Sequence, residues 1–134
     1  MSPPTQLSLH VLPGRFAIAR FAPAEEIPSP ASAGAFYSVT RTPQECSLVC
    51  DEKILASGAK AERGRALLAV VGPLAFAQTG VLASLAVPLA EAKISIFALS
   101  TFDTDYLLLS ETDLERAIAA LEQAGHHVKR STKE

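Results

Sequence analysis

Between residues 100 and 105 the chain sets three hydroxyls and two carboxylates around one aromatic ring, in the order Ser100-Thr101-Phe102-Asp103-Thr104-Asp105. Carboxylates spaced two apart are residue types used by general acid–base catalysis, by calcium loops and by recognition of ammonium or guanidinium groups. On a strand both would share a face, but no third group accompanies them to complete an acid–base site. A calcium loop requires a glycine and a terminal glutamate, whereas here the D-x-D runs directly into Tyr106 and Leu107. Turn chemistry and cation contact remain. Asp and Thr side chains cap backbone groups in tight connections, and Asp103 is assigned to that role. For Asp105, capping and ligand contact both stay open.

The other chemistry-bearing residues are weaker signals. Gln78-Thr79-Gly80 reads first as a plain helix start, and neither G-x-G-x-x-G nor a Walker A pattern is present. Cys46 and Cys50, four apart on a strand, lie about 13 Å from each other, beyond the roughly 7 Å limit of a disulfide. No further ligands at metal spacing accompany them, so they read as buried packing with Leu48. His126 and His127 follow a helix cap and read as solvated strand-edge residues, with His10 a strand residue. Ser100 has no nucleophile-elbow context. The expectation is no enzyme, no catalytic residues, no metal and no cofactor.

Composition narrows the partners. A chain of 134 residues, 49% hydrophobic, builds one domain or two very small ones. Its net charge of −2 offers no basic field for nucleic acid and no cationic face for a membrane. The longest apolar stretch, Gly80 to Ala90, falls far short of the roughly 20 residues that cross a bilayer. MSPPTQLSLH has no charged region followed by an apolar one, so a cytoplasmic location is expected.

The elements that must position these residues follow from periodicity and punctuation. Leu7–Leu12 and Arg15–Phe21, separated by Pro13-Gly14, read as two strands or one bent strand. Ala22–Gly34 is rich in proline and cannot hold a useful helix. Phe36–Arg41 and Cys46–Cys50 form a hairpin around Thr42-Pro43-Gln44-Glu45. Asp51–Arg65 is polar and reads as a flexible linker, which puts the domain boundary between 1–61 and 62–134. Arg65–Val71 is an apolar strand. A helix then opens at Gln78 or Thr79, with Leu82, Leu85, Ala86 and Leu89 as its stripe. Pro88 within it removes the bond to the Ser84 carbonyl. Ile94–Leu99 and Asp105–Leu109 are strands around the polar turn. Thr112-x-x-Glu115 reads as a capping box, Leu114, Ala117, Ile118 and Leu121 as a stripe, Gly125 as a cap, and His127–Arg130 as an edge strand.

The second half therefore reads β-α-β-β-α-β, the ferredoxin-like order, with both helices on one face of a four-stranded antiparallel sheet. Its strands are apolar on both alternating sets, whereas a sheet wetted on one side should show a polar set. The second face must be covered by the N-terminal half, by a second protomer, or by both, so a homodimer is expected.

ISIFALSTFDTDYLLL, preceded by GPLAFAQTGVLASLAVPLAEA, resembles the ACT-domain proteins, small regulatory modules that bind amino acids. Within them it looks most like the tandem-ACT group that includes the animal cytosolic arginine sensor. LSLHVLPGRFAIARF and FYSVTRTPQECSLVCDE resemble the first unit of that group. The resemblance implies an α+β chain of two tandem ferredoxin-like ACT units, a degenerate one over 1–61 and an ACT domain over 62–134. It implies a ligand at the start of the first helix and the adjoining strands, at an interface between units. On this sequence that nominates Gln78, Thr79, Gly80 and Val81, then Ser95 and Ile96 on the strand, then Thr101, Phe102 and Asp105 in the turn. It further implies an allosteric regulatory protein that binds an amino acid or similar small ligand and acts on a regulated protein partner. The competing reading is an interaction module whose ACT fold has lost its ligand.

Overall fold

The computed structural model describes residues 6–29, 34–75 and 79–130. Among them, in chain order, lie β1 (Ser8–Val11), β2 (Phe16–Phe21), β3 (Tyr37–Arg41), β4 (Cys46–Asp51), β5 (Ala61–Val70), α1 (Val81–Glu91), β6 (Phe97–Ser100), β7 (Asp105–Ser110), α2 (Leu114–Gln123) and β8 (His127–Arg130). The chain forms two compact units, one of Met1–Pro13 with Ala66–Glu134, the other of Gly14–Arg65. The divisions fall at Pro13 and Arg65, rather than once at residue 61, because β1 pairs with the second half of β5 and with β8.

In the helix-bearing unit the order β5-α1-β6-β7-α2-β8 is the ferredoxin-like one expected from periodicity. Its sheet, however, has five strands in the order β6-β7-β5-β1-β8, not four. β1 runs antiparallel to β5, with Leu9 opposite Val70 and Val11 opposite Leu68, and parallel to β8, with Leu9 opposite Val128. The sheet is thus mixed rather than purely antiparallel. Leu9 and Val11 alternate with exposed Ser8 and His10, so one face of β1 enters the core while its backbone completes both ladders.

That core combines Leu9, Leu68, Val70, Leu107 and Leu109 of the sheet with Leu85 and Leu89 of α1 and Leu114, Ala117 and Leu121 of α2. α1 begins at Val81, not at Gln78 or Thr79, and buries Val81, Leu85 and Leu89. Leu85 and Leu89 belong to the stripe as read, but Leu82 is 39% exposed and Val81 takes its place. Gly80 explains the start: its φ of +81° is left-handed and cannot belong to the helix, a conformation glycine adopts without the steric cost of a Cβ. α2 buries Leu114, Ala117 and Leu121 as expected. The capping box does not form. Residues 111–113 make a 3-10 turn, Thr112 Oγ1 pairs with Ser110 Oγ at 2.9 Å, and Glu115 pairs with Arg130. On the sheet's other alternating set, Leu67 and Leu108 are also buried within the single chain.

The other unit is a sheet in the order β3-β4-β2-β5. β2 is antiparallel to β4 from Phe16–Asp51 to Phe21–Cys46, and β3 is antiparallel to β4. Thr42 closes their hairpin: its N–H donates to the Glu45 carbonyl at 2.8 Å and its Oγ1 accepts from Gln44 N–H. Ala17, Ala19, Leu48, Cys50 and Leu55 form a small core. Among its described residues there is no α-helix, so helices on one face describe only the first unit. The stretch after β2 is held by side chains instead: Tyr37 Oη donates to the Pro28 carbonyl at 2.6 Å and Arg41 to that of Pro23 at 2.7 Å. The expected linker over 51–65 is ordered, as a 3-10 turn at Glu52–Ile54 and the start of β5. Gly64 sits at φ +68° where the β2–β5 register shifts between Phe16 and Ile18, a bulge that only glycine enters without strain. Its N–H donates to Glu52 Oε1 at 2.9 Å.

Candidate functional site

The polar turn between β6 and β7 is built from its own hydroxyls. Thr101 N–H donates to the Thr104 carbonyl at 2.8 Å, and Thr101 Oγ1 accepts from Thr104 N–H at 3.3 Å. Ser100 Oγ donates to Asp105 Oδ1 at 2.6 Å across the mouth of the hairpin. Two bonds pin the turn to the end of β5 and the segment after it. Thr104 Oγ1 donates to the Val70 carbonyl at 2.8 Å, and Leu74 N–H donates to the Asp103 carbonyl at 2.7 Å.

These bonds form one wall of a cleft of about 240 Å³. Ser100 to Asp105 make that wall, Leu74 and Ala75 the second, and Val81, the first residue of α1, the third. Drug-sized sites run to roughly 300–1,000 Å³, so this volume suits something smaller. Its described lining carries two carboxylates and no basic side chain, which favours a cationic group. The start of α1 supplies the opposite preference, because N–H groups of a first helical turn have no intrahelical partner and favour an anion. Among the described residues no side chain caps that turn. One charged end and one helix terminus on the same small cleft match a zwitterion.

Of the nominated residues, Val81, Thr101, Phe102 and Asp105 are brought together in the lining. Thr79 and Gly80 are exposed and directly precede Val81. Gln78 lies outside the described residues. Ser95 and Ile96 precede β6 rather than lying on it; Ser95 is exposed, Ile96 packs against the core, and neither lines the cleft. Phe102 is 80% exposed at the rim. Sequence reasoning missed Leu74 and Ala75, which the Leu74–Asp103 bond brings in, and did not nominate Ser100, Asp103 or Thr104 as lining. Gly72-Pro73 was their available signal, since it stops β5 and returns the chain toward the turn.

Elsewhere, Cys46 and Cys50 are buried free thiols, and burial pushes the Cys50 thiol up to about 11. His10 and His127 are exposed, but His126 is not the solvated residue expected: it is 4% exposed and bonded at both ring nitrogens. The cap at Gly125 turns it inward, a placement that a run of two histidines after a helix does not reveal.

An ACT-domain family model matches residues 60–123, the stretch from β5 to α2 that carries the whole cleft. A separate N-terminal-domain model matches residues 14–57. A solved protein of Agobacterium tumefaciens is 36% identical over 97% of each chain, with a TM-score of 0.89. The aspartokinase alpha and beta subunits share the fold at 18% identity, over 90% of this chain and 98% of that one, with a TM-score of 0.62. So does the ligand-free regulatory subunit of aspartate kinase from Thermus thermophilus, at 16% identity over 83% of this chain and 93% of that one, with a TM-score of 0.56. No helix among the described residues is long and apolar enough to cross a membrane. The ferredoxin-like order of the helix-bearing unit and the family match across it together identify residues 60–123 as an ACT domain.

Proposed function

We propose that this chain is a regulatory, non-catalytic ACT-domain protein that binds a free amino acid or similar small polar ligand in the cleft between the start of α1 and the β6–β7 turn. The observation that carries the reading is the convergence of Asp105 and the uncapped start of α1 on one cleft of about 240 Å³. The ligand's ammonium or guanidinium group would pair with Asp105 and its carboxylate with the first-turn N–H groups. Binding would act by population shift, favouring the arrangement that a regulated protein partner senses. The reading includes a cytoplasmic homodimer with the ligand at an interface between ACT units. It also includes kinship with the tandem-ACT group of the animal arginine sensor, whose four units two copies would rebuild.

One observation favours the competing interaction module: Asp105 already accepts a short bond from Ser100, so part of its capacity is spent within the turn. A thermal-shift screen of the twenty amino acids separates the two. A ligand that binds only the native state adds about 2.7 kcal/mol at a hundredfold excess over Kd, which raises the melting temperature by several degrees. Asp105→Ala should remove that shift while the unliganded protein still folds. Absence of any saturating shift at millimolar amino acid would put the interaction module ahead, and retention of affinity in Asp105→Ala would take Asp105 out of the site.

A further inference from the structure

Helix α1 contains Pro88, whose nitrogen carries no hydrogen for the carbonyl one turn earlier, at Ser84. That carbonyl is not left bare. His126 Nε2 lies 2.9 Å from it, and His126 Nδ1 accepts from Leu7 N–H at 3.1 Å. An imidazole that accepts at Nδ1 carries its single hydrogen on Nε2, so Nε2 donates to the Ser84 carbonyl. The Leu7 carbonyl is engaged as well, accepting from His127 N–H at 2.9 Å. Leu7 directly precedes β1, and Ser84 lies one turn after the cleft residue Val81, to whose carbonyl its Oγ donates at 2.7 Å.

We infer that His126 is a clasp that makes the order of β1 and the order of the cleft-side half of α1 a single event. The imidazole is 4% exposed, so a partner lost on either side leaves a buried polar group without a bond, and water does not replace it at low cost. Val81, Ser84, His126, Leu7 and β1 thus form one connected series of bonded groups, and β1 continues through Pro13-Gly14 into the residues of the other unit. Pro88 keeps the circuit closed: any residue with an N–H at that position would satisfy Ser84 from within the helix and free α1 from dependence on His126. The coupling belongs to the fold and holds with the cleft empty, so it stands or falls independently of ligand binding.

Hydrogen exchange on the full chain tests it. His126→Phe keeps the ring volume and removes both nitrogens. Exchange at Leu9–Val11 and at Leu85–Leu89 should accelerate together by about tenfold, the value of one net hydrogen bond, while β4 is unaffected. Adding Pro88→Ala to His126→Phe should return α1 to its original rate and leave β1 fast. Acceleration of one element without the other, equal acceleration in β4, or no recovery of α1 in the double variant would each overturn the clasp. If His126→Phe does not fold, native-state exchange in low urea decides: β1 and α1 should open together in the wild type and separately in Pro88→Ala. The same pattern in both proteins overturns it.

Discussion

Gly72 lies between the end of β5 and the cleft wall at Leu74, in a narrow space. A methyl group placed there would lie 3.1 Å from Thr104 Cβ, 3.2 Å from the Asp103 carbonyl oxygen and 3.2 Å from Leu74 N. The last two atoms are hydrogen-bonded to each other at 2.7 Å, so the methyl wedges against the bond that closes the cleft. Thr104 cannot withdraw freely either, because its Oγ1 holds the Val70 carbonyl at 2.8 Å. Crowding of this kind costs about 1–3 kcal/mol, and each hydrogen bond stretched or lost adds about 1 kcal/mol. Gly72→Ala should therefore destabilise the protein by roughly 2–4 kcal/mol and lower its urea midpoint by about 1 M or more, given slopes of about 1–3 kcal/mol per molar. Gly58→Ala is the matched control. Nothing lies within 4 Å of its Cβ position and its φ is not left-handed. Reduced unfolded-chain entropy should leave that variant neutral or up to about 1 kcal/mol more stable. Paired urea titrations measure both. A Gly72→Ala unfolding free energy within about 0.5 kcal/mol of the wild type, or a Gly58→Ala loss as large as that of Gly72→Ala, would refute the close-approach argument.

Cys50 should resist iodoacetamide in the native protein at pH 8, since burial, aided by Asp51 and opposed by Arg63, holds its thiol at about 11; rapid native labelling would contradict this. The same shift, from 9.0 in the unfolded reference, makes the folded state disfavour the thiolate. Stability should thus be complete below about pH 9 and fall by roughly 2–3 kcal/mol as pH rises to about 11, a component that Cys50→Ala should lack. Glu115→Gln, which removes the exposed pair with Arg130, should change stability by less than about 1 kcal/mol, and the difference should shrink further in high salt.

The element order of the helix-bearing unit was legible because each signal is local. The α2 stripe of Leu114, Ala117 and Leu121 repeats at helical spacing, and the hydroxyl-rich turn at 100–105 closes on itself through Thr101 and Thr104. The candidate site was legible to the same extent: Val81, Thr101, Phe102 and Asp105 converge because α1 and the β6–β7 hairpin belong to one ferredoxin-like unit. Ser95 and Ile96 did not join them, because β6 starts three residues later than its apolar run suggests. Leu82 and Val81 exchanged roles for an equally local reason, the left-handed Gly80 that delays the helix.

What this sequence determined by itself is the α+β order from β5 to β8 and the polar turn, both read from residues within a few positions of one another. Only the tertiary structure decided that β1 enters the sheet between β5 and β8, that Gly14–Arg65 forms a unit without an α-helix among its described residues, and that His126 is buried. The reason is physical. Strand ladders are made by backbone groups that every residue carries, so a strand's neighbour leaves no mark on its own sequence. His126 meets Leu7 across a separation of 119 residues, through a nitrogen whose partner no local pattern names.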